Sequence, residues 1–216
     1  MKLYLSSYKF GNFTKELADL AGTNKRAAVI MNALDWGDPV RVAKSLEDQI
    51  STLNSLGYNA EQLDLRKYFN KSDDLKKIMS NFGLVWVHGG NSFVLRRAYE
   101  QSGFDSIIKE LIEKDKIVYG AFSAGVVVIS PTLKGVEIVD NPNILPQDQG
   151  YQNEFKEDGL GIIKYVVAMH YKSDHPESAL VDKYVDYCKK ENITYKTLRD
   201  GEIILINGKT EKIFTI

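Results

Sequence analysis

Short β-rich runs alternate with amphipathic stretches along most of the chain, and this alternation limits the fold more than any other feature. Apolar and β-branched residues predict six strands, at residues 2–6, 25–32, 58–65, 83–87, 117–119 and 165–169. Helical spacing of apolar residues predicts helices between them, at residues 39–56, 73–81, 93–101, 104–114 and 177–190. Two late strands, 202–207 and 212–215, flank Gly208 as a closing hairpin.

This order predicts an α/β fold with three layers: a mainly parallel sheet, helices on both faces, and an antiparallel edge. The 216 residues are enough for one domain with a sizeable core. Neither an internal repeat nor an interdomain linker is visible, so we predict a single domain spanning residues 1–216. Residues 135–159 are the least regular part of the chain, and a loop of that length is usually functional or mobile.

Composition excludes several classes of function. The chain has 28 basic and 29 acidic residues and a net charge of −1, which gives no electrostatic reason to bind nucleic acid or a membrane surface. Cys188 is the only cysteine, and no zinc-type Cys/His spacing occurs. The N-terminus lacks a signal-peptide pattern, and no run of about eighteen apolar residues suggests a membrane span. We therefore predict a cytoplasmic protein without a metal site, and the twelve tyrosines are compatible with a homodimer.

One serine lies between two apolar stretches in a pattern typical of a nucleophile elbow. The run 116–129 reads KIVYGAFSAGVVVI, in which Ser123 follows a buried strand and precedes a helix. Small residues on both sides of the serine allow the strand and helix to approach each other. Ala121 stands where glycine is usual, so a simple turn between a core strand and a core helix is the alternative.

A serine nucleophile needs a base, and the chain has three histidines. His170 ends a predicted strand as Ser123 does, and the carboxyl ends of parallel strands meet at one edge of a sheet. His88 also ends a strand but adjoins a Gly-Gly turn, while His175 precedes a proline in a polar loop. His170 is therefore the predicted base.

A glycine pair follows the strand at residues 83–87. Adjacent glycines let backbone N–H groups face a cleft with no Cβ in the way. The amides of Gly90 and Ala124 are the predicted oxyanion hole. Asn91 is predicted either to bind a polar group of the substrate or to cap the next helix.

Together these motifs resemble the peptidase E (α-aspartyl dipeptidase) family, whose wider group includes cyanophycinases. The matching runs are VHGGNSF at 87–93, GAFSAG at 120–125, SPT at 130–132, and GLGII at 159–163 leading into His170. The late Asp200-Gly201 before a strand also fits. The resemblance implies a class I glutamine amidotransferase-like fold and a cofactor-free serine peptidase that works through an acyl-enzyme.

By the same resemblance, Ser123 is the nucleophile, His170 the base, and Gly90 with Ala124 the oxyanion donors. An acidic residue is expected in the loop after the elbow helix. Glu137 and Asp140 are the candidates, and Glu137 lies nearer the expected place.

The sequence does not identify the side chain that the substrate carries. Relatives with aspartyl specificity carry an arginine in the helical stretch after the histidine, and residues 175–183 contain none. Lys172 or Lys183 would supply only a point charge, not a bidentate guanidinium. The prediction is therefore a peptidase for small peptides or dipeptides. The alternatives are a cyanophycinase-like or other amide hydrolase, and a non-catalytic ligand-binding member of the fold.

Overall fold

The computed structural model describes residues 1–154 and 156–216, and a seven-stranded sheet runs through it. A separate pair of strands, β6 and β7, lies outside that sheet. The strands are β1 (Lys2–Ser6), β2 (Arg26–Ile30), β3 (Asn59–Gln62), β4 (Leu84–Val87), β5 (Val118–Phe122), β6 (Val166–Ala168), β7 (Tyr195–Thr197), β8 (Ile203–Asn207) and β9 (Thr210–Phe214). The helices are α1 (Thr14–Leu20), α2 (Pro39–Ser55), α3 (Ser72–Met79), α4 (Ser92–Ser102), α5 (Phe104–Glu113), α6 (Ala124–Val127) and α7 (Ser178–Lys190).

The predicted sheet architecture is confirmed. The strand order is β3-β2-β4-β5-β1-β8-β9, with the first five strands parallel and the last two antiparallel. Strand β1 therefore pairs with β5 on one side and with β8, near the end of the chain, on the other. This pairing brings the ends of β1 and β5 close to the segment that precedes β8.

Both faces of the sheet are buried, because side chains alternate between two apolar clusters. Leu3, Val85 and Tyr119 belong to the larger cluster, which also includes residues of α3, α4, α5 and α7. Their neighbours Tyr4 and Trp86 belong to a smaller cluster with residues of α1 and α2. This two-residue period is what a strand covered on both faces requires.

Three elements differ from the predictions. Helix α1 and strand β7 were not expected, since neither carries a long periodic pattern. The strand that leads to His170 was expected in the main sheet, but β6 pairs only with β7, in parallel. Residues 135–159 contain no helix or strand longer than a 3₁₀ turn at Val136–Ile138, as far as the structure describes them; residue 155 lies outside the described part.

Within the described residues, no helix combines the length and the hydropathy needed to cross a bilayer.

Candidate active site

Ser123 lies on a strained turn between β5 and α6. Its backbone has φ 48° and ψ −120°, a region that residues other than glycine rarely adopt. Such a conformation costs about 1–3 kcal/mol and is retained where the surrounding structure enforces it. The turn is the predicted elbow.

Glycines beside the elbow make the close approach possible. A Cβ added to Gly125 would lie 2.9 Å from Val87 Cγ1 and 3.0 Å from the Cβ of Ala121. A Cβ added to Gly89 would lie 2.9 Å from that of Ser123. Ala121 is accommodated because its methyl group faces a glycine, which explains how this elbow tolerates alanine at a position usually held by glycine.

His170 joins Ser123 to an acid. Its Nε2 lies 3.3 Å from Ser123 Oγ, and its Nδ1 lies 2.7 Å from Asp200 Oδ1. A carboxylate accepts hydrogen bonds, so Nδ1 carries the proton and Nε2 is left to accept from the serine hydroxyl. Ser123, His170 and Asp200 thus form a continuous hydrogen-bonded series.

The β6–β7 pair places His170 beside Asp200. Ala168 is paired with Thr197, and the ladder continues as the Tyr171 amide donates to the Leu198 carbonyl at 3.0 Å. Because the two strands are parallel, the residues that follow each of them emerge at the same end. The base and the acid therefore meet although thirty positions separate them in the chain.

Two serines hold this arrangement. Ser7, directly after β1, accepts from the His170 amide and donates to Asp200 Oδ1, both at 2.9 Å. Ser173 Oγ accepts from the Asp200 amide at 2.8 Å. Neither serine was predicted, although the position of Ser7 at a strand end was a usable signal. Asp200 could have been found from its position shortly before a strand, in the Asp200-Gly201 motif that matches the peptidase E family.

The structure does not bring Glu137 to His170, so the predicted acid is corrected to Asp200. Glu137 lies on the 3₁₀ turn after Gly135, where Val136 is buried and the next side chain is exposed. It borders a different surface pocket, with Lys134 and Tyr187.

The other candidate acid, Asp140, and the predicted substrate ligand Asn91 both serve the start of α4. Asp140 Oδ2 accepts from the Ser92 amide at 2.8 Å. Asn91 Oδ1 accepts from the amides of Phe93 and Val94, and Asn91 Nδ2 donates to the Asn141 carbonyl. Asn91 is 3% exposed. Its polar atoms hydrogen-bond within the protein. Asn91 therefore caps helix α4, as the second of its two predicted roles required, and does not face a substrate.

The two predicted oxyanion donors have no internal acceptor among residues 1–154 and 156–216. Within the described residues, neither the Gly90 amide nor the Ala124 amide donates to a backbone or side-chain atom. Gly90 has φ 135°, and a Cβ there would lie 2.5 Å from the Ala33 carbonyl oxygen, so only glycine fits.

Comparison with known proteins supplies the family. The model of peptidase family S51 matches residues 5–214, nearly the whole chain. The chain belongs to peptidase family S51. It is therefore a serine-type peptidase, and the resemblance to peptidase E is confirmed.

Relatives cover most of this S51 peptidase. The uncharacterized peptidase Lin0382 of Listeria innocua is 29% identical over 74% of the chain and 76% of its own length. The uncharacterized peptidase PM1590 of Pasteurella multocida is 23% identical over 98% and 96%.

Solved structures share the fold. A protein of Listeria monocytogenes EGD-e assigned to peptidase E superposes with a TM-score of 0.78 at 23% identity, covering 100% of this chain and 98% of that one. A peptidase from an acI-B1 actinobacterium gives a TM-score of 0.69 at 14% identity, covering 99% and 86%.

The pocket beside Ser123 is apolar apart from a few groups. Val127, Val139 and Met169 contribute apolar walls, and Asp140 and Glu177 contribute carboxyl groups. None of its described lining residues is a lysine or an arginine. Burial, with the charges of Asp140 and Asp200 nearby, raises the pKa of Glu177 to about 7. The open space is about 30 Å³, room for one or two water molecules.

Burial also sets the charge of the base. It lowers the pKa of His170 below the usual 6.5, more than the Asp200 carboxylate raises it. The imidazole is therefore neutral at pH 7 and able to accept a proton.

His175 stacks on His170, with ring centroids 3.7 Å apart and planes 8° from parallel. Although His175 precedes a proline in a polar loop, it is half-buried against the base. These two rings and Glu177 bring potential metal ligands within 4.8 Å of one another. Imidazole nitrogens bind an ion in the ring plane, however, and two stacked planes do not converge on one ion. In this geometry the group does not fit a shared metal.

Proposed function

We propose that this S51 peptidase hydrolyses the amide bond of a small peptide through an acyl-enzyme on Ser123. The observation that carries the proposal is the contact of His170 with the Ser123 hydroxyl through one ring nitrogen and with the Asp200 carboxylate through the other. A serine hydroxyl is a weak nucleophile, and this series supplies both a base and a group that orients the base.

Each residue has a role in the proposed reaction. Ser123 Oγ attacks the carbonyl carbon while its proton passes to His170 Nε2. Asp200 stabilises the imidazolium that forms, and the amides of Gly90 and Ala124 donate to the oxyanion. His170 then protonates the leaving amine. Water then attacks the acyl group and gives a proton to His170, and His170 returns this proton to Ser123 Oγ as the acid leaves.

The pocket favours an acyl residue that is small and not anionic. An aspartyl side chain would lie close to Asp140 and Glu177, and like charges in a half-buried pocket repel strongly. No described lining residue supplies a compensating cation. We therefore propose small, neutral N-terminal residues instead of Asp-X dipeptides, which keeps a broader amide hydrolase activity as the second candidate.

A panel of dipeptides with Gly, Ala or Asp as the first residue tests this function. We expect the Gly and Ala peptides to be hydrolysed at least about tenfold faster than the Asp peptides at pH 8, where Glu177 is ionised. Fastest hydrolysis of Asp peptides would contradict the substrate assignment. Hydrolysis that survives Ser123→Ala would contradict the mechanism.

Glu177→Gln is the matched control for charge. It removes one carboxylate from the pocket at nearly constant shape, so discrimination against the Asp peptides should weaken. In the wild type the same weakening is expected on going from pH 8 to pH 6, because the Glu177 carboxyl with its pKa of about 7 becomes protonated.

A further inference from the structure

His88 makes a second serine–histidine contact, away from the Ser123 hydroxyl. Its Nδ1 lies 2.7 Å from the carbonyl oxygen of Gly89, and its Nε2 lies 2.9 Å from Ser45 Oγ on α2. A carbonyl oxygen only accepts hydrogen bonds, so the His88 proton is on Nδ1. Nε2 therefore accepts from the Ser45 hydroxyl, and Ser45 fixes the ring that donates to Gly89.

The charge and position of this ring suit a fixed donor better than a base. Burial lowers the pKa of His88 to about 4, so the ring is neutral at pH 7. Its Nδ1 hydrogen-bonds to a carbonyl oxygen, and not to a carboxylate, which would stabilise an imidazolium. Phe122 packs edge-on against the ring at 4.6 Å between centroids.

The carbonyl that His88 holds belongs to the same peptide group as the Gly90 amide. In a trans peptide the C=O and the N–H point in opposite directions, and none of the described peptide bonds is cis. Fixing the Gly89 carbonyl toward His88 therefore fixes the Gly90 N–H on the other side. The bond is between two glycines, whose backbone torsions are the least restricted of any residue.

We propose that His88 is a positioning residue that locks the Gly89–Gly90 peptide with the Gly90 N–H facing the oxyanion. The inference rests on the proposed function, since the oxyanion hole is part of it. Without the hydrogen bond from His88, this peptide plane can rotate and direct the Gly89 carbonyl oxygen toward the developing negative charge.

A pair of amide substitutions separates this role from packing. In His88→Asn the amide nitrogen can occupy the place of Nδ1 and donate to the Gly89 carbonyl. In His88→Gln the amide lies near the place of Nε2 instead, so the Gly89 carbonyl loses its hydrogen-bond donor. His88→Asn removes more of the side chain than His88→Gln, so recovery in the Asn variant cannot come from better packing, and thermal unfolding of each would show whether the fold is kept.

The readouts are the rate constant for inactivation by a fluorophosphonate and the separate kcat and KM for the best dipeptide of the panel. Removing one oxyanion donor in other serine hydrolases lowers kcat about 10²–10³-fold. We expect His88→Gln to lose about tenfold or more in kcat and in inactivation rate, with KM changed less than about twofold. His88→Asn should recover most of that loss.

Equal loss in both variants, or a loss expressed in KM alone, would overturn the role of His88. Unchanged kinetics in His88→Gln would also overturn it. If Ser123→Ala is inactive in the same assays, the proposed function would still stand. If wild-type protein is neither inactivated by the fluorophosphonate nor active on any dipeptide, the proposed function and this inference both fail.

Discussion

At the scale of single residues, the site depends on which acid contacts the base. The Asp200 carboxylate accepts from His170 Nδ1 and from the Ser7 hydroxyl, and the Asp200 backbone amide donates to Ser173 Oγ. A carboxylate placed in this way keeps the imidazole in the tautomer that can accept a proton, and it stabilises the imidazolium during acylation. Glu137 has no such contact.

Asp200→Asn should therefore lower kcat by about 10²–10⁴-fold, because an amide can reverse the tautomer of His170 while leaving its place in the fold intact. Glu137→Gln is the matched control, an acid-to-amide change at an exposed position, and its kcat should stay within about twofold. Steady-state hydrolysis by both purified variants checks this. Loss of activity in Glu137→Gln with Asp200→Asn active would restore the acid first expected from the sequence.

The pH dependence follows from the same histidine. His170 must be neutral to accept the serine proton, and burial lowers its pKa below 6.5. The acid limb of kcat/KM for a peptide without ionisable side chains should consequently have an apparent pKa below 6.5, with activity rising as the pH increases through it. In Asp200→Asn the residual limb should move to lower pH still, since the carboxylate that raises the pKa of His170 is gone. A shift to higher pH would contradict this assignment of charges.

At the scale of elements, the elbow requires strand β4, strand β5 and helix α6 to meet with almost no space between them. Gly125 occupies the contact, facing Val87 and Ala121. The sequence predicted this element well, because a buried strand, a serine and small residues at fixed offsets specify it locally.

Gly125→Ala should destabilise the protein by about 1–3 kcal/mol, since the added methyl must displace well-packed neighbours. Gly22→Ala is the control, because a Cβ at Gly22 would meet nothing within 4 Å. Urea unfolding of both variants measures the difference in free energy of unfolding. Equal stability of the two variants would show that the elbow is packed less tightly than the structure indicates.

Other elements could not be read from the sequence for a physical reason. The three residues of β7, Tyr195–Thr197, are all half-buried and carry no alternation of apolar and polar side chains. That strand nevertheless sets the register that brings Asp200 to His170. A choice between Glu137, Asp140 and Asp200 required this long-range pairing, which local patterns do not contain.

At the scale of the whole molecule, the sheet gathers distant segments at one edge. Ser7 after β1, Ser123 after β5 and Asp200 before β8 become neighbours because β1 lies between β5 and β8. The layered fold and two of the three residues in the series were predicted, since Ser123 and His170 each follow a short apolar strand, although the strand before His170 lies outside the main sheet. The substrate pocket was not predicted, because its walls come from α6, α7, β6 and the irregular segment that follows α6.

The central claim, that Ser123 is the activated nucleophile, is tested most directly by reaction with a fluorophosphonate followed by peptide mass spectrometry. The account predicts a single covalent adduct on Ser123 in the wild type, no adduct in Ser123→Ala, and labelling at least about 10²-fold slower in His170→Ala. Wild-type protein that stays unlabelled while folded, or an adduct on any other residue that persists in Ser123→Ala, would contradict it.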